Sequence, residues 1–273
     1  MELSGLAGKV AVITGAGRMR SIGRSMAVAL ASAGCRVVLT GTGRAPAQYP
    51  EDERAAGWRD IASVAEEVRK AGSDALEVVS NVMDPVAVDL LVEQVQAAFG
   101  RVDFVINNAG AARGSDRVPI VDLALDDWHK VLNVNLNGTF YMCRAFGRAL
   151  VRQGEGGAIV NISSIAGKRM PPNSGAYAAS KAGIQALTAC MAQEVGSHGI
   201  RVNAICPGII DTYRMDDLGR DAGWQQMIDR LIPLKRAGTG EDIAAMVTFL
   251  CSDQGAWITG QSYNVDGGTV VQH

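Results

Sequence analysis

In "YAASK", Tyr177 and Lys181 stand at i and i+4 on a helix-like stretch. Residues four apart share one helix face, so their side chains can approach each other. A free phenol has a pKa of about 10 and is a poor base near neutrality. A nearby ammonium favours the phenolate. Lowering the phenol by about 3 units takes roughly 4 kcal/mol. A tyrosine so placed can act as general acid/base toward an alcohol or carbonyl oxygen. Taken alone, the spacing fits an exposed Tyr–Lys pair better than a catalytic one.

The second stretch is "TGAGRMRSIG", Thr14 to Gly23, directly after the apolar run "KVAVI". Gly15, Gly17 and Gly23 suit a tight turn and close backbone approach to a phosphate, with a helix start favouring the anion. The spacing departs from G-x-G-x-x-G. By itself the stretch is also compatible with a simple glycine-rich turn.

Elements must hold these two stretches together. Short, β-branched apolar runs occur at Val10–Thr14, Arg36–Thr40, Ala75–Val79, Phe104–Asn107, Ala158–Ile162, Arg201–Cys206 and Ser262–Val265. They are apolar on both faces, as buried parallel strands are. Amphipathic stretches such as "RSMAVALASAG" and "DIAAMVTFLCS" lie between them. This alternation predicts an α/β fold: a doubly wound, Rossmann-type parallel sheet of about seven strands with helices on both faces. Without a repeat or low-complexity linker, residues 1–273 are expected to form a single domain.

Two connections break the rhythm, Gly41 to Trp58 and Thr212 to Gly240. Both follow strand C-terminal ends, the edge where such sheets bind ligands, and long loops there are commonly functional. The stretch 212–240 is expected to be a substrate lid. "KRMPPNSGA", Lys168 to Ala176, is expected to line the opposite wall, with Met170, Pro171 and Pro172 giving it apolar surface.

The composition narrows the function classes. Hydrophobic residues make up 48%, charged residues 20%, and the net charge is -2, which gives no basic excess for nucleic acid. No apolar run is long enough to cross a membrane, and the N-terminus lacks a secretion-signal pattern, so a cytoplasmic protein is expected. Five cysteines, Cys35, Cys143, Cys190, Cys206 and Cys251, sit among apolar neighbours and are expected to be reduced core thiols. His129, His198 and His273 are too scattered for a metal site.

Further segments converge on one family. "IVNISSIAG" ends the fifth strand with Ser163 and Ser164, and "FVINNAG" ends the fourth with Asn107, Asn108, Ala109 and Gly110. "VLNVNLNGTF" carries Asn135, and "VNAICPGIIDT" carries Pro207, Gly208, Ile210 and Thr212. From about Gly8 to Gly268 the chain resembles the short-chain dehydrogenase/reductase family in its compact form, similar to oxoacyl-carrier-protein reductases and related carbonyl reductases. The resemblance implies Tyr177 as acid/base and Lys181 as its pKa partner and ribose contact. It implies Ser164 as the hydrogen-bond partner of the substrate oxygen, with Ser163 a structural neighbour, and Asn135 as holder of a water relayed to Lys181. Asn135 would otherwise be a helix-capping or helix-bending amide.

The same resemblance implies a dinucleotide over Gly15, Gly17, Arg18, Ser21, Ile22 and Gly23. It continues over Gly41, Thr42, Asn81, Val82, Asn108, Ala109 and Gly110, then over Tyr177 and Lys181, and finally over Pro207, Gly208, Ile210 and Thr212. Asn81 replaces the family's usual aspartate, and its amide oxygen can still accept a hydrogen bond from adenine. The glycine loop is longer than the family's by two residues, placed around Met19 and Arg20, with Ser21 where the middle glycine usually stands.

The expected chemistry is hydride transfer between a nicotinamide dinucleotide and a carbonyl or secondary alcohol. Gly41 leaves no carboxylate at the end of the second strand, and Arg18 and Arg44 lie nearby, so NADP(H) is expected over NAD(H). An NAD-dependent alcohol dehydrogenase, an epimerase or dehydratase on the same scaffold, and a non-catalytic dinucleotide sensor are the alternatives. Oxoacyl thioesters, sugars, cyclic ketones and steroids all remain open as substrates. The resemblance also implies a homotetramer.

Overall fold

The computed structural model describes residues 3–271; His273 lies outside them. The strands are β1 (Val10–Thr14), β2 (Arg36–Gly41), β3 (Ala75–Val79), β4 (Phe104–Asn107), β5 (Gly157–Ile162), β6 (Ile200–Pro207) and β7 (Ser262–Val265). They form one parallel sheet in the order β3-β2-β1-β4-β5-β6-β7. The order reverses between β1 and β4, which opens a crevice at the strand C-terminal ends.

Ten helices connect the strands among the described residues: α1 (Ile22–Ser32), α2 (Glu51–Ala55), α3 (Ile61–Lys70), α4 (Pro85–Phe99), α5 (Leu125–Leu132), α6 (Gly138–Gln153), α7 (Ala166–Arg169), α8 (Gly175–Val195), α9 (Ala222–Leu231) and α10 (Gly240–Cys251). Side chains alternate across a strand, so β1 feeds two cores. Ala11 and Ile13 pack with Met26 of α1, Val64 of α3 and Val247 of α10. Val10 and Val12 pack with Val88 and Leu91 of α4 and Met142 and Phe146 of α6. Every residue of β1 and β4 is buried, which is why these runs carry no polar alternation.

Several expectations need correction. The 41–58 connection is not wholly irregular: a 3-10 turn at Pro46–Gln48 and helix α2 lie within it. Proline and glycine dominate that stretch and hide the acidic first turn, Glu51 to Glu53, that suits a helix N-terminus. The 212–240 segment likewise contains a 3-10 turn, Tyr213–Leu218, and α9, capped by the Asp221 carboxylate. Four cysteines are buried free thiols as expected, but Cys190 is exposed. No helix among the described residues is long and apolar enough to cross a membrane.

Candidate active site

The glycine loop leaves β1 at Gly15, whose φ of 67° is left-handed; a Cβ there would lie 2.8 Å from the Ala109 Cα. Thr14 and Asn108 tie the loop to the end of β4. The Thr14 Oγ1 accepts from the Asn108 and Ala109 backbone amides at 3.0 Å each, and the Asn108 side chain donates to the Thr14 and Gly15 carbonyls at 2.9 and 3.1 Å. Ser21 caps α1, accepting from Arg24 N at 3.2 Å and donating to the Arg18 carbonyl at 2.8 Å. The extra residues therefore bulge out before the cap. Met19 N donates to Glu53 at 2.9 Å, and the Arg20 guanidinium bridges Asp52 at 2.8 Å and Asp216. Tyr213 N closes the bridge by donating to the Arg20 carbonyl at 3.1 Å. The insertion joins the 41–60 connection on one side to the 212–240 segment on the other.

At the end of β2 one premise of the sequence reading fails. Gly41 carries no carboxylate, but Asp60 folds back to supply one beside it. Asp60 is 6% exposed with a φ of 55°. Its carboxylate accepts from Arg44 N at 3.2 Å and from the Arg44 guanidinium at 3.3 Å. Arg44 also donates to Glu53 at 2.8 Å. Arg18 lies 3.9 Å from Glu53 and 4.1 Å over the Tyr213 ring. Both arginines expected to meet a phosphate already face carboxylates. Trp58 completes this wall, donating through Nε1 to the Gly17 carbonyl at 2.7 Å.

Tyr177 and Lys181 come from the first turns of α8, and Ser163 and Ser164 from the end of β5. Lys181 is buried; its Nζ donates to the Ile162 carbonyl at 2.7 Å and lies 5.8 Å from the Tyr177 ring centroid. Burial pushes the Tyr177 phenol up, but the Arg214 and Lys181 charges, the Ser164 hydroxyl and the Arg117 charge outweigh it and hold the phenol below its ordinary value. Burial also pushes the Lys181 ammonium down, against the pull of Tyr177. Ser163 donates to the Lys181 carbonyl at 2.8 Å, a bracing contact.

Asn135 sits at a π-helical turn, Asn133–Asn137, between α5 and α6, and is fully buried. Its amide oxygen accepts from Ala111 N at 2.8 Å and its amide nitrogen donates to the Ser180 hydroxyl at 2.9 Å. The side chain thus braces the β4 end against α8.

One cleft of about 800 Å³ runs along this edge. Ser164, Tyr177, Lys181 and every residue assigned to the dinucleotide from the sequence border it, except Gly23. Gly23 lies behind the loop, where a Cβ would stand 2.7 Å from the Asn108 side chain. Asn135 and Asn107 do not border the cleft; Asn107 donates to Asn161 at 2.8 Å inside the sheet. Pro171 and Pro172 border it as expected, whereas Met170 does not and is 64% exposed. The cleft also takes in Asp60, Arg113, Arg117 and Arg214. Of these only Arg214 falls within the stretch expected to be the lid, residues 212–240. Asp60 directly precedes the amphipathic run "IASVAEEVRK", a position where an aspartate reads as a helix cap, although here it makes no capping bond.

A glycine loop between β1 and α1, a Tyr/Lys pair on α8 and a serine at the end of β5, all on one parallel-sheet edge, define a class. The chain belongs to the short-chain dehydrogenase/reductase family, and residues 15–270 match the family model described as enoyl-(acyl carrier protein) reductase. Among relatives, it is 35% identical to a 3-oxoacyl-acyl-carrier-protein reductase of Synechocystis over 98% of this chain and 100% of the relative. It is 34% identical to the Escherichia coli K12 enzyme of that name over 96% of this chain and 97% of the relative. A solved short-chain type dehydrogenase/reductase from Mycobacterium marinum is similar at 31% identity and a TM-score of 0.84, covering 98% of this chain and 97% of that one. The protein is an oxidoreductase of C=O and CH–OH groups using a nicotinamide dinucleotide.

Proposed function

We propose that the protein interconverts a ketone and a secondary alcohol with NADP(H), with Tyr177 as general acid/base. The observation that carries this reading is the Tyr177 phenol, held below its ordinary pKa beside Lys181 and Ser164 in the same cleft as the glycine loop. The loop fits a pyrophosphate, because Gly15 leaves the backbone bare where a Cβ would collide.

Bound along the cleft, the dinucleotide supplies the hydride that moves to or from the substrate carbon. Tyr177 gives its hydroxyl proton to the oxygen in reduction and takes it back in oxidation. Ser164 donates a hydrogen bond to that oxygen and fixes its position. Lys181, anchored on the Ile162 carbonyl, stabilises the phenolate with its charge and reaches the nicotinamide ribose. Asn135 serves this proton transfer from behind the cleft, its side chain bracing the end of β4 against α8. Residues 212–240 close over the substrate, and the chain assembles as a cytoplasmic homotetramer, for which the 44%-exposed Phe140 on α6 offers apolar surface. A monomer in light scattering would remove the assembly from this picture.

Arg18 and Arg44 at the adenosine end support NADP(H). Asp60 favours a second reading, NAD(H), because a carboxylate beside Gly41 accepts from ribose hydroxyls and repels a 2′-phosphate. Measuring kcat/KM with both cofactors in the native enzyme and in Asp60→Asn separates the two. Preference for NADP(H) in the native enzyme supports the first reading. Preference for NAD(H) that weakens in Asp60→Asn establishes the second. Stoichiometric oxidation of the reduced cofactor with a carbonyl panel excludes a sensor or an epimerase.

A further inference from the structure

Three guanidinium groups stand on the substrate side of the cleft, and they are not equally occupied. Arg113 is paired with Asp217 at 2.9 Å. Arg117 and Arg214 instead flank the Tyr177 ring, 4.4 and 5.0 Å from its centroid. Arg214 donates to the Ala111 carbonyl and has no carboxylate within salt-bridge distance among the described residues. Arg117 lies 3.3 Å from Asp116 and donates to the Ser174 hydroxyl at 2.9 Å, but its buried Nε makes no hydrogen bond. Each guanidinium carries five N–H donors, so most of these point at no acceptor of the protein.

Such an arrangement costs stability. The two cations repel each other, and burial disfavours the charge on Arg117. A buried charge without full compensation is destabilising unless something completes it. The Arg214 and Lys181 charges together hold the Tyr177 phenol down, and the Arg117 charge adds to them. That effect uses the charge of the two guanidinium groups and not their hydrogen-bond donors, which stay open to a ligand. Guanidinium groups match planar or tetrahedral oxyanions in bidentate fashion.

We propose that the substrate carries an oxyanion, a carboxylate or a phosphate, within a few bonds of the reacting carbon, and that Arg117 and Arg214 bind it. This rests on the oxidoreductase reading of the same cleft. Both arginines border the acid/base itself, so the charge they hold must lie beside the carbonyl. A neutral thioester or ester leaves both unsatisfied. Reduction of such an oxo acid takes one hydride from the reduced dinucleotide and one proton from Tyr177, and yields the hydroxy acid and the oxidised dinucleotide.

The test uses the full-length enzyme and matched probes: acetoacetate against methyl acetoacetate, 2-oxobutyrate against its methyl ester, and hydroxyacetone phosphate against hydroxyacetone. At least one charged probe should exceed its neutral partner in kcat/KM by about 10-fold or more, the scale of one charge-assisted hydrogen bond. The series that shows the preference identifies the anion. In Arg117→Gln and Arg214→Gln the preference should collapse through KM, and Arg214→Lys should recover part of it. Binding supplies a second readout. Tyr177→Phe loaded with reduced dinucleotide should take up the charged probe in calorimetry, and adding Arg117→Gln should abolish that uptake while the dinucleotide still binds. Neutral probes reduced as well as their charged partners would overturn this proposal and leave the oxidoreductase intact. No dinucleotide binding and no turnover with any probe would overturn the oxidoreductase reading as well.

Discussion

The Asp60 carboxylate occupies the space that a side chain on Gly17 would need: a Cβ there would lie 1.4 Å from Asp60 Oδ1. The loop glycine is therefore fixed by a residue from the other end of the 41–60 connection. Gly17→Ala should push Asp60 aside, break its contacts with Arg44 and weaken dinucleotide binding by about 10-fold or more, the worth of a charge-assisted bond. Asp60→Gly opens that space and suits the φ of 55°, so the double variant should recover part of the binding. Fluorescence titration of the four proteins reads the coupling, and strictly additive losses would mean that the two residues act separately.

Tyr177→Phe keeps the ring and removes the transferable proton. Turnover should fall by about 100-fold or more, with dinucleotide affinity retained. Alcohol oxidation needs the phenolate, so its rate rises with pH through the phenol pKa. That rise should lie below the ordinary phenol value of about 10. Removing a neighbouring cation raises the phenol pKa, so Arg214→Gln should move the rise to higher pH. A neutral alcohol is the substrate for this profile, and an unmoved profile would separate Arg214 from the titration.

Arg20 bridges Asp52 and Asp216 at the surface. Exposed pairs contribute about 1 kcal/mol or less, so Arg20→Ala should barely change the melting temperature. It should speed proteolytic cleavage within residues 212–240 in the free enzyme. Cofactor and substrate together should slow cleavage of the native chain by ordering this segment. Equal cleavage with and without ligands would describe a fixed segment.

Asp103 is 3% exposed and accepts from Val10 N at 2.9 Å and Arg101 Nε at 2.8 Å, with Lys9 at 3.2 Å. Burial pushes its pKa up, but Arg101, the Val10 amide and Lys9 outweigh it and hold the carboxyl below its ordinary range. A depressed folded pKa contributes stability above the unfolded pKa of about 4 and loses it as pH falls through the folded value. Asp103→Asn should cost about 1–3 kcal/mol at neutral pH and flatten the acid limb of the melting profile. Thermal melts from about pH 7 down to pH 3 check both.

β1 and β4 were legible because buried parallel strands are apolar on both faces; β3 and β7, at the sheet edges and only partly buried, also have the bounds their runs suggest. Tyr177, Lys181 and Ser164 were legible because each sits in a local motif, and the cleft brings them together. Asp60 was not, because its place beside Gly17 and Gly41 arises from the return of a long connection rather than from a nearby position. Arg117 was missed for a similar reason. Nothing near it in the chain announces a ligand, and its neighbour Tyr177 arrives on a distant helix. Asn135 kept its motif, but its side chain is spent on Ala111 and Ser180, which no local pattern reveals.

The lengthened glycine loop has a consequence for redesign. Through Met19, Arg20 and the Tyr213 amide it stitches together two segments that lie far apart in the chain. Neither is a portable module here. Grafting a substrate cap from a shorter-looped relative would strand Arg20 without Asp216, and trimming the loop would unfasten α2 and the cap at once. Recombination that respects this stitching must exchange all three pieces as one cassette.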